Sequence, residues 1–221
     1  MKIKELRISA QNLERQFDFY AKKIGLKVLE QSDDSVSFRI GASVLRLVKH
    51  NAFFPYHFAI NIPSNKEKEA LNWLKERVAI LTDEGNEIQD FYNWNAKAIY
   101  FYDADNNIVE FIARKNLKNG TSEDFGASSL LEVSEIGMPV TDIERTYKKI
   151  NRISNLEIYD GGFDKFCAIG DELGLFICID KNAKGWYPTN DKAHSSRFEI
   201  FFEDKDVEHQ LEFIKGEIRK L

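Results

Sequence analysis

Over residues 3–10, Leu6 and Ile8 alternate with Glu5, Arg7 and Ser9, the period of a half-buried strand. The period then changes. Leu13, Phe17, Tyr20 and Ile24 recur at helical spacing behind Asn12, a good helix N-cap, and Gly25 closes the segment. Three short strands follow at 26–31, 35–40 and 43–49, separated by Ser32-Asp33-Asp34 and Gly41-Ala42. The order is β-α-β-β-β.

The same order recurs. Residues 56–62 alternate as a strand, Ala70, Leu71, Leu74 and Val78 mark the inner side of a helix over 65–78, and strands are expected at 79–82, 96–102 and 108–114. The polar, glycine-containing stretch 115–129 has no period and reads as a linker. A third unit places a strand at 130–138, a helix at 142–153, and strands at 156–159, 165–169 and 175–179. A fourth, cut short, has a strand at 197–202 and a helix at 206–220. The expected organisation is therefore a two-module domain over 1–114, the linker, and a third module plus a truncated βα module over 130–221. Seven positions before the strand-to-helix junctions at Asn12, Ser64, Asp142 and Asp204 lie Glu5, His57, Glu135 and Arg197. All four occupy one strand position, and repeated units give such positions equivalent surroundings. The fold class is α+β: repeated βαβββ modules whose curved mixed sheets form a cup, with helices on the outside.

The chain has 221 residues, 43% hydrophobic and 30% charged, which is a globular composition. A net charge of −5 with interleaved signs argues against nucleic-acid binding, which needs clustered Lys and Arg. No apolar run suggests a membrane span and the first residues resemble no signal peptide, so a cytoplasmic protein is expected. Cys167 and Cys178 are expected as reduced thiols in one hairpin, not directly opposite if the turn is at Gly170–Leu173.

Alternation puts Leu6, Ile8, Val36, Phe38, Ile40, Leu45, Leu47, Phe58, Ile60, Ile62, Val109 and Phe111 on the helix side of the sheets. It leaves Glu5, Arg7, Ser9, Ser37, Arg39, Arg46, His57, Asn61 and Glu110 on the other side. Strands from two units sharing so dense a set of ionisable groups suggest a site.

The doubled β-α-β-β-β pattern, with LERQFDFYAKKIGLKV after the first strand and IYFYDADNNIVEFIAR closing the second unit, resembles the vicinal oxygen chelate superfamily. That group includes glyoxalase I, extradiol dioxygenases, fosfomycin-resistance enzymes and bleomycin-binding proteins. Residues 20–26 are similar to its FY…lGL signature. Residues 103–111 are similar to its DPDGNxxEF signature, with Ala104 and Asn106 in place of Pro and Gly. By this resemblance, metal ligands come from the first and last strands of each unit, here Glu5, His57 and Glu110, with the fourth position on or near Arg46. It implies one divalent ion (Mn, Fe, Ni or Zn), no organic cofactor, and a small vicinal-oxygen substrate handled by a lyase, isomerase or dioxygenase. Glu110 and Glu5 would move the proton, and Arg39, Arg46, Asn61 and Tyr100 would contact the substrate. A homodimer fits the way such proteins share sites between modules.

The residues themselves leave a second reading open. Glu5–Arg46 and Glu110–Arg39 ion pairs would satisfy the same charges with no metal, and the cup would then sequester a small anionic or aromatic molecule. Glu135 and Arg197 would pair with each other. The loop Gly185-Trp186-Tyr187-Pro188-Thr189 would wall a second pocket or anchor packing, and Phe53, Phe54, Tyr56, Tyr92 and Trp94 would either line the cup or fill the core. The run Asp103–Asn107 reads as a β-turn, since it lacks the spacing of a calcium loop.

Overall fold

The computed structural model describes residues 1–51 and 53–221. The first module consists of β1 (Lys2–Ala10), the short helix α1 (Leu13–Phe17) continued by a wider turn of helix over Asp18–Lys23, β2 (Lys27–Gln31), β3 (Ser35–Ile40) and β4 (Ser43–Lys49). The Asn12 side chain caps α1 as expected, accepting from the Arg15 N–H at 3.0 Å. The second module holds β5 (His57–Ile62), α2 (Glu67–Lys75), β6 (Ile80–Leu81), β7 (Gln89–Phe91), β8 (Ala96–Tyr102) and β9 (Ile108–Arg114). The third holds β10 (Glu132–Val140), α3 (Ile143–Ser154), β11 (Ile158–Gly161), β12 (Phe166–Asp171) and β13 (Gly174–Asp180).

The last module departs from the expectation. Residues 206–220 form no helix; β14 (Phe198–Asp204) is followed by β15 (Val207–Ile214) and β16 (Glu217–Lys220). Leu211, Ile214 and Ile218 mimic a helical spacing, but Leu211 and Phe213 follow a two-residue period and both are buried. The two turns decide the matter. Lys205 and Asp206, then Lys215 and Gly216, all take positive φ. Such residue pairs make tight hairpins whose twist matches the strands they join.

The modules do not pair in chain order. The outer sheet runs β16-β15-β14-β1-β4-β3-β2, so the first module joins the fourth. The inner sheet runs β11-β12-β13-β10-β5-β9-β8-β6, with β7 on β8, so the second joins the third. In each sheet the two first strands meet antiparallel, β1 with β14 and β5 with β10. Both sheets are curved and mixed, neither closes into a barrel, and their helix-facing sides share one core that contains Leu6, Phe38, Phe58, Phe111, Ile136 and Phe202. The opposite faces are the cups. Among the described residues, no helix is long and apolar enough to cross a membrane.

Cys167 and Cys178 are both buried and free, but they are direct cross-strand partners on β12 and β13. Asp171 pairs with Gly174, so the turn is only Glu172-Leu173, tighter than anticipated, and this shifts the register.

The turn after β8 ties the first two modules together. Asp103 is buried and accepts from the Asn107 side chain at 2.7 Å, from Gln16 Nε2 at 3.0 Å and from the Tyr20 hydroxyl at 2.8 Å. The neighbouring Asp105 accepts from the Gln11 N–H at 2.9 Å. These carboxylates serve a β-turn and hold the first helical segment against the second module. Replacing Asp103 with Ala strands the buried donors of Gln16 and Tyr20, each costing about 1–3 kcal/mol when unsatisfied. Asp103→Ala should lower stability by on the order of 3 kcal/mol in urea unfolding, with no change in the metal binding discussed below.

Candidate metal centre and its pocket

Strand alternation directs the polar set of the inner sheet into its cup. On β5, His57, Ala59 and Asn61 face away from the core; on β9, Glu110, Ile112 and Arg114 do the same. On β10 the pairing with β5 slips between Val133 and Glu135. This bulge lets Val133 and Ile136 both remain in the core while Glu132 and Glu135 both face the cup. Because β5 and β10 are adjacent, Glu135 arrives beside His57.

His57 Nε2 lies 3.5 Å from Glu110 Oε2 and 3.9 Å from Glu135 Oε2. One donor atom from each of the three residues falls within 4.8 Å of the others, and all three residues are buried. Glu135 Oε1 is held by Arg114 Nη2. Arg114 is fully buried, and its Nε donates to Asn61 Oδ1 at 3.2 Å. Asn61 in turn donates to Glu132 Oε1 at 2.6 Å and to the Glu172 carbonyl at 3.0 Å.

Burial sets the protonation states. It pushes the His57 imidazole down to about 4, against a smaller opposing contribution from the Ile108 backbone. His57 is therefore neutral near pH 7 and offers a nitrogen lone pair. Burial, and then the negative charge of Glu135, hold the Glu110 carboxyl well above its usual range. Glu135 is also raised by burial, with Arg114 acting in the opposite direction. The buried Tyr100 phenol is raised well above its ordinary value by burial first and then by the charge of Glu110. One carboxylate of the pair is matched by a guanidinium; the other has no cation.

Not all of the anticipated ligands meet. Glu5 lies on β1 in the outer sheet, where Arg46 Nε holds its Oε1 at 3.0 Å and Arg7 Nη2 approaches at 3.3 Å. The Glu5–Arg46 pair is thus one of the two ion pairs weighed from the sequence. The other, Glu110–Arg39, is not made, because β9 and β3 lie in different sheets and Arg39 is exposed. Arg39 and Arg46 are accordingly remote from the His57 cup, Asn61 supports Arg114 behind it, and Tyr100 lines it. Glu135 and Arg197 do not pair. Arg197 belongs to the outer sheet and binds Glu199 at 2.6 Å and Glu212 at 2.5 Å.

Register locates the fourth ligand position. Ala59 pairs with Glu110 across β5 and β9, and the matching pair across β10 and β13 is Gly137 with Ile177. That position is therefore apolar. The matching pair in the first module is Arg7 with Arg46. The inner cup keeps three donors, while the outer cup carries ion pairs.

Above the three donors opens a cavity of about 530 Å³. Its wall is an almost unbroken belt of rings. Trp186 lies 4.9 Å from His57, His57 6.2 Å from Tyr100, and Tyr100 5.6 Å from Tyr187. Tyr187 lies 6.0 Å from Phe91, Phe91 6.2 Å from Trp94, and Trp94 6.2 Å from Phe166. Trp186 and Tyr187 come from the connection between β13 and β14, which folds across the second module. The Tyr187 hydroxyl lies 2.8 Å from Gln89 Oε1 and 3.0 Å from Asp83 Oδ2, and its one proton is shared between them. Gly137 makes room for this connection, since a Cβ there would lie 2.5 Å from the Trp186 ring. Of the aromatics in question, Tyr92 and Trp94 line the cup. Phe53 packs against the core, Tyr56 lies within it, and Phe54 stacks on His194.

Donor chemistry and spacing fit a divalent first-row ion: one imidazole nitrogen and two carboxylate oxygens converge, with the apolar Ile177 leaving the remaining coordination to water or substrate. Two buried carboxylates so close together are costly without a cation. Glu110→Gln should therefore stabilise the metal-free protein. A gain of about 1 kcal/mol would raise its Tm by roughly 2–4 °C. The sign follows from linkage. A carboxyl raised in the folded state contributes its stability below the unfolded pKa and loses it as pH rises through the folded value. The Tm advantage of the variant should thus grow as pH rises above the ordinary carboxylate range in melts with chelator. A gap that shrinks with rising pH would contradict this account of Glu110.

No family model matches the chain. The metallothiol transferase FosB of Staphylococcus haemolyticus is 30% identical over 130 residues, which cover 55% of this chain and 86% of that protein. Among solved structures, a Bacillus subtilis protein assigned as a dioxygenase superposes with a TM-score of 0.60 at 14% identity over 81% of this chain, which spans 63% of the dioxygenase. Glyoxalase I from Zea mays superposes with a TM-score of 0.54 at 16% identity, over 80% of this chain and 66% of the maize chain.

Proposed function

The chain belongs to the vicinal oxygen chelate superfamily, and on that premise we propose that it is an enzyme that holds one divalent metal ion on His57, Glu110 and Glu135 and acts on a small substrate in the aromatic cavity. The observation that carries this reading is the convergence of those three buried donors within 4.8 Å at the floor of that cavity. When bound, the ion would supply Lewis acidity toward substrate oxygens. The roles of the protein groups follow from their contacts. Neutral His57 presents a lone pair. Arg114 takes one oxygen of Glu135 and so fixes the direction of the other. The Tyr100 hydroxyl and the Glu110 carboxyl both line the cavity, so the phenol stands where it can orient that carboxyl. The ring belt gives the floor apolar walls, and a substrate seated there would displace water and strengthen the charge interactions beneath it. Lyase, isomerase and dioxygenase chemistry all suit such a site. A transferase reaction joins them, because the FosB relative is a metallothiol transferase.

A second reading has its own observation. Arg114 already neutralises Glu135, and the raised Glu110 carboxyl can keep its proton. The cluster is then uncharged without any cation, as a binding protein would need.

Metal analysis separates the two. The purified, untagged protein incubated with Mn, Fe, Ni or Zn should retain close to one ion per chain for at least one of these metals. His57→Ala and Glu135→Gln should each weaken retention by about 100-fold or more, beyond the 10–100-fold typical of groups that merely support ligands. Glu5→Gln, in the other sheet, should leave it unchanged. A wild-type protein that stays empty with every ion would favour the uncharged cluster.

A further inference from the structure

The ring belt ends at a cation. Lys184 Nζ sits 5.0 Å from the centre of the Phe166 ring, the last in the belt, and is two residues from Trp186, the first. Among the described residues lining the cavity, it is the one lysine or arginine, and it makes no ion pair. The two aspartates lining the cavity are already engaged. Asp160 accepts from Trp94 Nε1 at 2.6 Å, and Asp90 lies 3.6 Å from Lys97. A second donor is also unused: the indole N–H of Trp186 is buried and has no hydrogen-bond partner.

These features narrow the ligand. Aromatic walls favour a flat π-system through stacking and edge contacts. A cavity of about 530 Å³ lies within the range that drug-sized ligands fill. The unpaired ammonium and the free indole N–H both call for an acceptor, and one cation calls for a single negative charge. We propose that the cavity selects a planar aromatic monoacid, its ring system held by the belt and its acidic group by Lys184. This deepens the functional reading above by naming the class of molecule. Partial desolvation lowers the Lys184 ammonium somewhat, as expected where water is displaced from around the acid-binding group.

The probes are naphthoate and its neutral counterpart naphthamide, titrated into the protein and followed by tryptophan fluorescence and calorimetry. The wild type should bind the acid about tenfold or more tightly than the amide, the size of one charge-assisted contact. Lys184→Met should bring that ratio to about one while leaving amide affinity unchanged, and Lys184→Arg should preserve it. A wild-type ratio near one would overturn the proposal, as would a ratio that survives in Lys184→Met or failure of both probes to bind. In the surviving-ratio case the acid would be engaging the His57 cluster instead. Each titration is run on metal-loaded and metal-stripped protein, with metal content measured in the same samples. Loss of the metal reading then leaves the Lys184 ratio still legible, and the two ideas fail separately.

Discussion

Everything in the inner cup depends on the antiparallel contact between β5 and β10. A one-residue slip in a strand moves every side chain to the other face. The bulge before Glu135 corrects such a slip in the middle of β10, so that Glu135 and Glu132 both turn into the cup while Val133 and Ile136 remain in the core. His57 and Glu135 come from modules distant in sequence, and only this pairing sets them 3.9 Å apart. Once they meet, β9 places Glu110 and Arg114 alongside through its parallel register with β5.

The two sheets show what becomes of one architecture under different charge assignments. In the outer cup Glu5, Arg7, Arg46, Glu199, Arg197 and Glu212 form a chain of partly solvated ion pairs, each acid meeting a base. Such pairs contribute little individually and make few demands on a ligand. In the inner cup the charged groups are fewer and unbalanced, with the Arg114 guanidinium facing the buried Glu110 and Glu135 and the half-buried Glu132. Ala59, Ala96, Ala98 and Ala168 keep this face low, and Gly137 admits the Trp186 ring over it. Burial with imbalance is what distinguishes a site from a merely polar face.

Local information was enough for most of the fold. Period and capping located the first three helices and nearly every strand, alternation put His57, Asn61 and Glu110 on the correct face, and the repeat gave Glu135 the same strand position as His57. Which first strands would pair is a long-range property, and no local pattern carries it. The family resemblance puts Glu5 beside His57; the nested pairing puts Glu135 there. Arg114 could have been found, since it follows Glu110 by four positions on the same face of β9. Gly137 was a further clue. A lone glycine inside a buried strand signals close approach by another group, here Trp186. The final hairpin was hidden by a chance helical spacing, although its Lys-Asp and Lys-Gly turn pairs were visible.

Nested pairing also orders events in time. Every residue that lines the inner cup precedes β14, so this half can assemble while the chain is still emerging from the ribosome. The first strand has no such early partner on its second side. The edge of β1 stays open until β14, nearly a full chain length later, arrives to cover it. An open, apolar edge is a template for aggregation. Lys2, Lys4, Glu5 and Arg7 stud that strand with charge. Besides the ion pairs that Lys4, Glu5 and Arg7 make in the finished sheet, these charges act as gatekeepers that keep nascent chains from adding to one another before the last strand closes the edge.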